Sequence, residues 1–422
     1  MSAPTPQPNH APGPAAAVWA MLLALTAGFA LSNAYRTVAA ILAAPLSAEQ
    51  GLSPQALGIF AGSFHLMFGA MQLFMGIAID LWGVRRTVLL ASPLAIVGAV
   101  ISATAPGYGT LLIGQSLIGI GCSPAFLACT VFISRHFPAS RFASVSGIAM
   151  TVGTLGMLFT GTPLAWLVQS TSWRMAFTVL AVMSAIAWLC IWRTVHEPAL
   201  PASTNARKEN IGEAVARFGS LFMIPHTWGI VALGFVCYAA FISLRGLWLG
   251  PLLISRYGYS LVQSGNVALV LSLVALCGPM AFGRLDPGPA HRRRWLVVCT
   301  LLFSVLFAMI GFTHNAWGNI AAALAIGFLS GYLILQYADV RNAYPAALTG
   351  RAMAAFTMAM FLGIAAMQWF TGLIASMAEA RALEPFGPVM YGIAALLVLA
   401  ALAFTLLPSP PKHPAALQPH QS

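Results

Sequence analysis

The sequence predicts an all-α membrane protein: twelve transmembrane helices in two pseudo-symmetric six-helix halves. Three observations carry this. Charged residues are 7% of the 422-residue chain and hydrophobic residues 59%, where a soluble domain carries roughly 25% charge. Twelve apolar runs reach the ~20 residues that a helix needs to cross hydrocarbon. Finally, Gly283 lies 207 residues after Gly76, and the same offset joins Arg85 to Arg292, Arg86 to Arg293, Gly51 to Gly258, Ser53 to Ser260, Gly58 to Gly265 and Pro138 to Pro345. One offset of half the chain, held without gaps, reads as a duplicated helical unit, the way many secondary transporters are built.

The elements follow in order. Residues 1–14 are rich in Pro and small polar residues and predict a disordered tail without the basic n-region of a signal peptide. An N-terminal half over 15–193 holds six apolar runs near 17–44, 55–79, 87–105, 109–134, 143–168 and 175–193. The stretch 194–225 is the longest polar one and reads as the linker between halves, with a short amphipathic helix over 209–218. A C-terminal half over 226–407 repeats the pattern near 226–252, 261–283, 295–312, 317–338, 350–377 and 386–407. A Pro-rich tail, 408–422, ends the chain. The six cysteines all fall in apolar runs without a CxxC pair, and predict packing thiols rather than metal ligands or disulfides.

The net charge of +11 does not point to nucleic acid, because the basic residues sit in short loops. With both termini on one side, that side takes Arg85, Arg86, Arg135, Arg141, Arg193, Arg207, Lys208, Arg217, Arg284, Arg292, Arg293, Arg294, Arg341, Arg351 and Lys412. The other takes only Arg174, Arg256 and Arg381. This bias predicts cytoplasmic termini and a bacterial inner-membrane location.

Between the second and third runs stands Gly76-Ile-Ala-Ile-Asp80-Leu-Trp-Gly83-Val-Arg85-Arg86, with a degraded copy at Gly283, Asp286, Arg292 and Arg293. Motif, position and half-length repeat together resemble the major facilitator superfamily over about residues 15–408. There the hallmark is G-x-x-x-D-[RK]-x-G-[RK]-[RK]; here Leu81 replaces a basic residue and Val84 is an insertion. The resemblance implies that Asp80 latches the two halves in the outward-facing state. Gly76 is expected to permit close helix approach and Gly83 a tight turn. The fourth helix carries Gln115 where many members have Arg. The fifth has only Gly156 and Gly161-Thr162-Pro163 of the exporters' glycine-proline kink.

Two charges lie inside apolar runs without a local acid: Arg36 in helix one and Arg245 in helix seven, equivalent helices of the two halves. Arg36 precedes Gly51 by 15 residues and Arg245 precedes Gly258 by 13. At ~1.5 Å rise per residue the depths differ by about half a turn. A mid-membrane guanidinium costs at least ~2.5 kcal/mol on insertion scales, and no carboxylate falls at a helix centre. The compensating charge is then an anionic cargo held bidentately; the alternatives are snorkelling or a cap on backbone carbonyls. His65, in helix two, is the proton-coupling candidate, because anion entry beside it could draw in a proton. Asn33, Tyr35, Gln115, Tyr238, Tyr332, Gln336, Gln368 and Trp369 complete the candidate cargo site, each weighed against interhelical packing.

No enzymatic constellation, cofactor motif or metal pattern is present. The expectation is a monomeric secondary transporter of a small organic anion, working by alternating access through proton symport or anion exchange. An exporter of lipophilic compounds would need a membrane-embedded carboxylate. A non-transporting sensor would not need Asp80, Arg85 and Arg86.

Overall fold

A computed structural model describes residues 14–138, 141–196 and 218–410. The predicted linker helix over 209–218 and both tails lie essentially outside the described residues. Within them the chain is helical throughout, with eleven apolar helical spans of membrane-crossing length. One of these, Pro54–Ala103, breaks at Gly83 (φ 80°, ψ 167°) into two crossings, so the spans make twelve. We label them α1 (Ala16–Thr37), α2 (54–82), α3 (84–103), α4 (Tyr108–His136), α5 (Ser144–Ser170), α6 (Trp173–Thr194), α7 (Pro225–Arg256), α8 (Leu261–Arg284), α9 (Pro289–Phe312), α10 (Ala316–Ala343), α11 (Leu348–Glu379) and α12 (Phe386–Leu406).

The duplication is visible in local chemistry. Gly51 and Gly258 both take left-handed backbone (φ 62° and 70°), a conformation that costs glycine little. Two residues on, Ser53 and Ser260 both cap the next helix, accepting from the amides of Ala56 and Gln263. The repeat is not gapless, however. Gly288 (φ 78°, ψ 170°) adopts the conformation of Gly83, although the two are 205 residues apart rather than 207. A solvated loop absorbs that slip where a packed helix would not.

Helix bounds also move. Helix α1 runs on as a second helix, Ala39–Gln50, past Pro45. Helix α9 begins at Pro289, so Arg292–Arg294 stand on its first turns rather than in a loop. Helix α10 continues to Ala343 and takes Asp339 inside, 8% exposed.

The two halves meet at the end of the bundle remote from the termini. There Gly58 packs on the Gln368 carbonyl, and a Cβ at Gly62 would lie 3.1 Å from the Ala365 carbonyl and one at Gly69 3.1 Å from the Leu362 nitrogen. This glycine stripe brings α2 against α11. Similarly, Gly250 of α7 packs on the Ala40 carbonyl, Gly161 of α5 on Leu269 of α8, and Thr162 donates to Asn266 at 2.6 Å. Toward the termini, the second segments of α4 (Ala125–His136) and α10 (Leu333–Ala343) pack chiefly on helices of their own halves.

Candidate functional site

At mid-depth on this seam, α1 places Arg36 against the opposite half. The residue is 5% exposed, and its Nη1 donates to the Tyr238 hydroxyl of α7 at 3.0 Å. The guanidinium lies 4.7 Å from the Phe361 ring centre and 5.3 Å from that of Phe68; the two rings are themselves 4.3 Å apart, one from each half. They sit where α2 and α11 are still in contact. Nε of Arg36 is buried without a partner, and no ion pair between described residues involves it. A buried guanidinium answered by a phenol and two aromatic faces is under-compensated.

Further unsatisfied groups lie in the buried interior. His65 is 1% exposed, its Nδ1 3.1 Å from the Ala61 carbonyl and its Nε2 free. That geometry assigns the proton to Nδ1 and leaves Nε2 as an acceptor. His65 is within electrostatic reach of Arg36 and beside Gln368, whose amide atoms are both buried and unpartnered. Gln336 is likewise buried with both amide atoms free, and Gln115 with its nitrogen free. In a native interior such groups are normally paired.

Arg245 has a different setting. It is 0% exposed, on a π-helical turn Leu244–Trp248 of α7. Nε donates to Ser272 at 2.9 Å in its own half. Nη2 reaches the Met157 carbonyl at 2.9 Å and Thr160 Oγ1 at 3.4 Å, both on α5 of the other half. The cap on backbone carbonyls weighed for it in the sequence is what its side chain makes.

Four of the expected cargo contacts lie elsewhere. Tyr35 pairs with Ser184 at 3.0 Å and Asn33 donates to the Gly153 carbonyl at 2.9 Å, both inside the N-terminal half. Tyr332 pairs with Thr300 at 3.0 Å inside the C-terminal half. Trp369 is 49% exposed on the bundle surface, next to the buried Gln368; the sequence could not distinguish which of two neighbours faces inward. The signal missed Phe68, Phe361 and Thr160, since apolar and small residues in an apolar run carry no pattern.

Among the described residues, the contacts of the charged loops stay within their own halves. Asp80 faces Arg135 at 3.8 Å, and Arg85 donates to the Trp192 carbonyl at 3.0 Å; Arg86 is exposed. Gly76 does not mark a close approach: a Cβ there would meet only Leu127, at 3.8 Å. In the copy, a Cβ at Gly283 would meet nothing within 4 Å. Asp286 accepts from Arg292 at 2.6 and 3.0 Å. These bonds above all hold its carboxyl below the usual carboxylate range, against a smaller upward push from burial. Arg293 stacks 4.1 Å from the Phe404 ring.

The fold, with two helical halves meeting at this seam, is that of a membrane carrier. The chain belongs to the Major Facilitator Superfamily, whose family model matches residues 21–367. It is 23% identical to a hexuronate transporter of Bacillus subtilis over 70% of this chain and 73% of that protein. It is 23% identical to the Escherichia coli hexuronate transporter over 76% and 80%. A probable sulfoacetate transporter of Cupriavidus necator shares 24% over 56% and 57%. The crystal structure of a D-xylose-proton symporter superposes with a TM-score of 0.73 at 16% identity, covering 93% of this chain and 98% of that one. The protein is thus a multi-pass membrane transporter with a small-molecule substrate, not an enzyme.

Proposed function

We propose that the protein carries a small organic anion across a bacterial inner membrane by alternating access, with Arg36 as the anchor for the anion. The observation that carries this is the setting of Arg36. It is buried at the seam and, among the described residues, no carboxylate answers its charge, its one hydrogen-bond partner is a neutral phenol, and its Nε is free. A carboxylate of the cargo supplies the missing charge, and the planar fork suits bidentate binding. The relatives named for hexuronate and sulfoacetate, both anions, support the reading.

The free amides of Gln368 and Gln336 suit a cargo with hydroxyl or carbonyl groups beyond its acid. His65, with an open Nε2 beside Arg36, suits proton symport: a proton taken there is offset by the arriving anion. Anion exchange needs no proton and is the second form of the cycle. With the termini in the cytoplasm, as the basic loops suggest, the end at which the halves meet is the outer one.

Proteoliposome uptake of labelled organic anions, a hexuronate first, tests the anchor. Arg36→Lys keeps the charge and loses the fork; it should abolish most uptake while the protein remains folded in the bilayer. Full uptake by Arg36→Lys and Arg36→Gln would reject it.

A further inference from the structure

The fifth crossing is broken, and the break is answered from the other half. Helix Phe142–Phe159 ends at Thr160–Gly161, and a short helix resumes at Thr162–Ser170 with Pro163 in its first turn. At the break the Gly161 amide bonds back to the Leu158 carbonyl at 3.0 Å rather than to Met157. The Met157 carbonyl therefore loses its ordinary helical donor. It accepts instead from Thr160 Oγ1 at 3.0 Å and from Arg245 Nη2 at 2.9 Å. The last carbonyls of a helix carry partial negative charge, which a cation stabilises most where water is excluded. Arg245 is fully buried there. Its Nε is held by Ser272 of its own half, and Thr160 is tied on to Thr37 of α1 at 2.6 Å.

We propose that Arg245 is the clasp of the far-end gate: a positioning residue that holds the two halves together by capping the broken α5 of the opposite half. The cap reaches across the seam that must part when the far end opens. Parting α5 from α7 and α8 takes the Met157 carbonyl and Thr160 away from Arg245, and leaves a buried guanidinium with Ser272 alone. That penalty biases the empty carrier toward the far-end-closed state. It also explains the incomplete glycine-proline motif: Gly161 and Pro163 are needed to end α5 at the depth of Arg245. The glycines seat the seam closely, since a Cβ at Gly161 would lie 2.8 Å from Leu269 Cβ and one at Gly265 2.7 Å from Ala165 Cβ.

The inference rests on family membership and on this geometry, not on the identity of the cargo. Its test is accordingly run without cargo. Spin labels at Thr171 and Ser260, both exposed at the far end on opposite halves, report the width of the gate by pulsed electron resonance in nanodiscs, in a background freed of native cysteines. Gly161→Val, a steric wedge, calibrates the open distance. Arg245→Met keeps the bulk and removes the donors; the open population should rise at least about fivefold, and about twofold for Thr160→Val, which removes one acceptor across the seam. Ser272→Ala removes a partner within one half and should leave the distances as in wild type. Unchanged distances in both Arg245→Met and Thr160→Val, against an open Gly161→Val, would overturn the clasp. Should Arg245→Met fail to fold, Thr160→Val against Ser272→Ala decides it. A clasp confirmed alongside an anion-insensitive Arg36 would reject the proposed cargo and leave the gate standing.

Discussion

Arg36 and Arg245 are the same residue type at similar depth on equivalent helices of the two halves, yet their charges are answered differently. Arg245 donates to a serine, a threonine and a helix-terminal carbonyl; among the described residues its Nη1 has no partner. Arg36 has one neutral oxygen and two aromatic rings. A cation already capped by the protein is a structural device. One left under-compensated at a seam is a receptor for charge from outside. Duplication supplied two similar positions, and the broken α5 beside one of them separated their roles.

The comparison is broken or sharpened by four changes. The largest effect belongs to Arg36→Gln. Losing a charge-assisted hydrogen bond of ~1.5–3 kcal/mol should weaken anion binding about 10- to 100-fold, read as a rise in half-saturation for uptake; equal kinetics would erase the distinction. Arg245→Met comes next: anion binding at equilibrium is retained within a few-fold, while net transport slows because the far-end gate no longer closes firmly. Equal loss of binding in both arginine variants would make both of them anchors. Tyr238→Phe removes a single hydroxyl that accepts from Arg36. It leaves the guanidinium in place and should shift affinity less than Arg36→Gln does, by under about tenfold. Trp369→Leu should change transport least, since the ring faces away from the seam.

A second contrast lies in the charged loops. Asp286 is bound bidentately by Arg292, whereas Asp80 is 80% exposed and 3.8 Å from Arg135. A carboxyl held below its unfolded value stabilises the fold above that value and ceases to do so as pH falls through the folded one. Melting of wild type against Asp286→Asn should therefore differ between pH 5 and 8 and converge on acidification below about pH 4. A gap that instead widens in acid would contradict the pairing.

Much of the fold was legible because membranes impose long apolar runs and because duplication repeats its turn chemistry. Gly51 with Gly258, and Ser53 with Ser260, marked the repeat in the sequence, and the structure shows them forming matching turns and caps. The site was half legible. Unpaired arginines in apolar runs stand out by cost alone, and both fall on the seam. Which groups answer them did not stand out, since that depends on helix rotation: Gln368 turns inward and Trp369 outward, one residue apart. Asp339 escaped notice because a charge at the end of an apolar run reads as a loop, though α10 continues past it. Thr160 carries its meaning only through the break beside it.

The central claim is that Arg36 waits for an anion. Its most direct test is the melting temperature of purified protein with matched ligands, such as glucuronate against glucose, within a wider panel of organic acids and their neutral analogues, because binding to the native state raises it. The account predicts stabilisation by at least one acid, none by its neutral analogue, and no stabilisation of Arg36→Gln. Stabilisation by neutral or cationic compounds alone, or by the acid equally in Arg36→Gln, would contradict it.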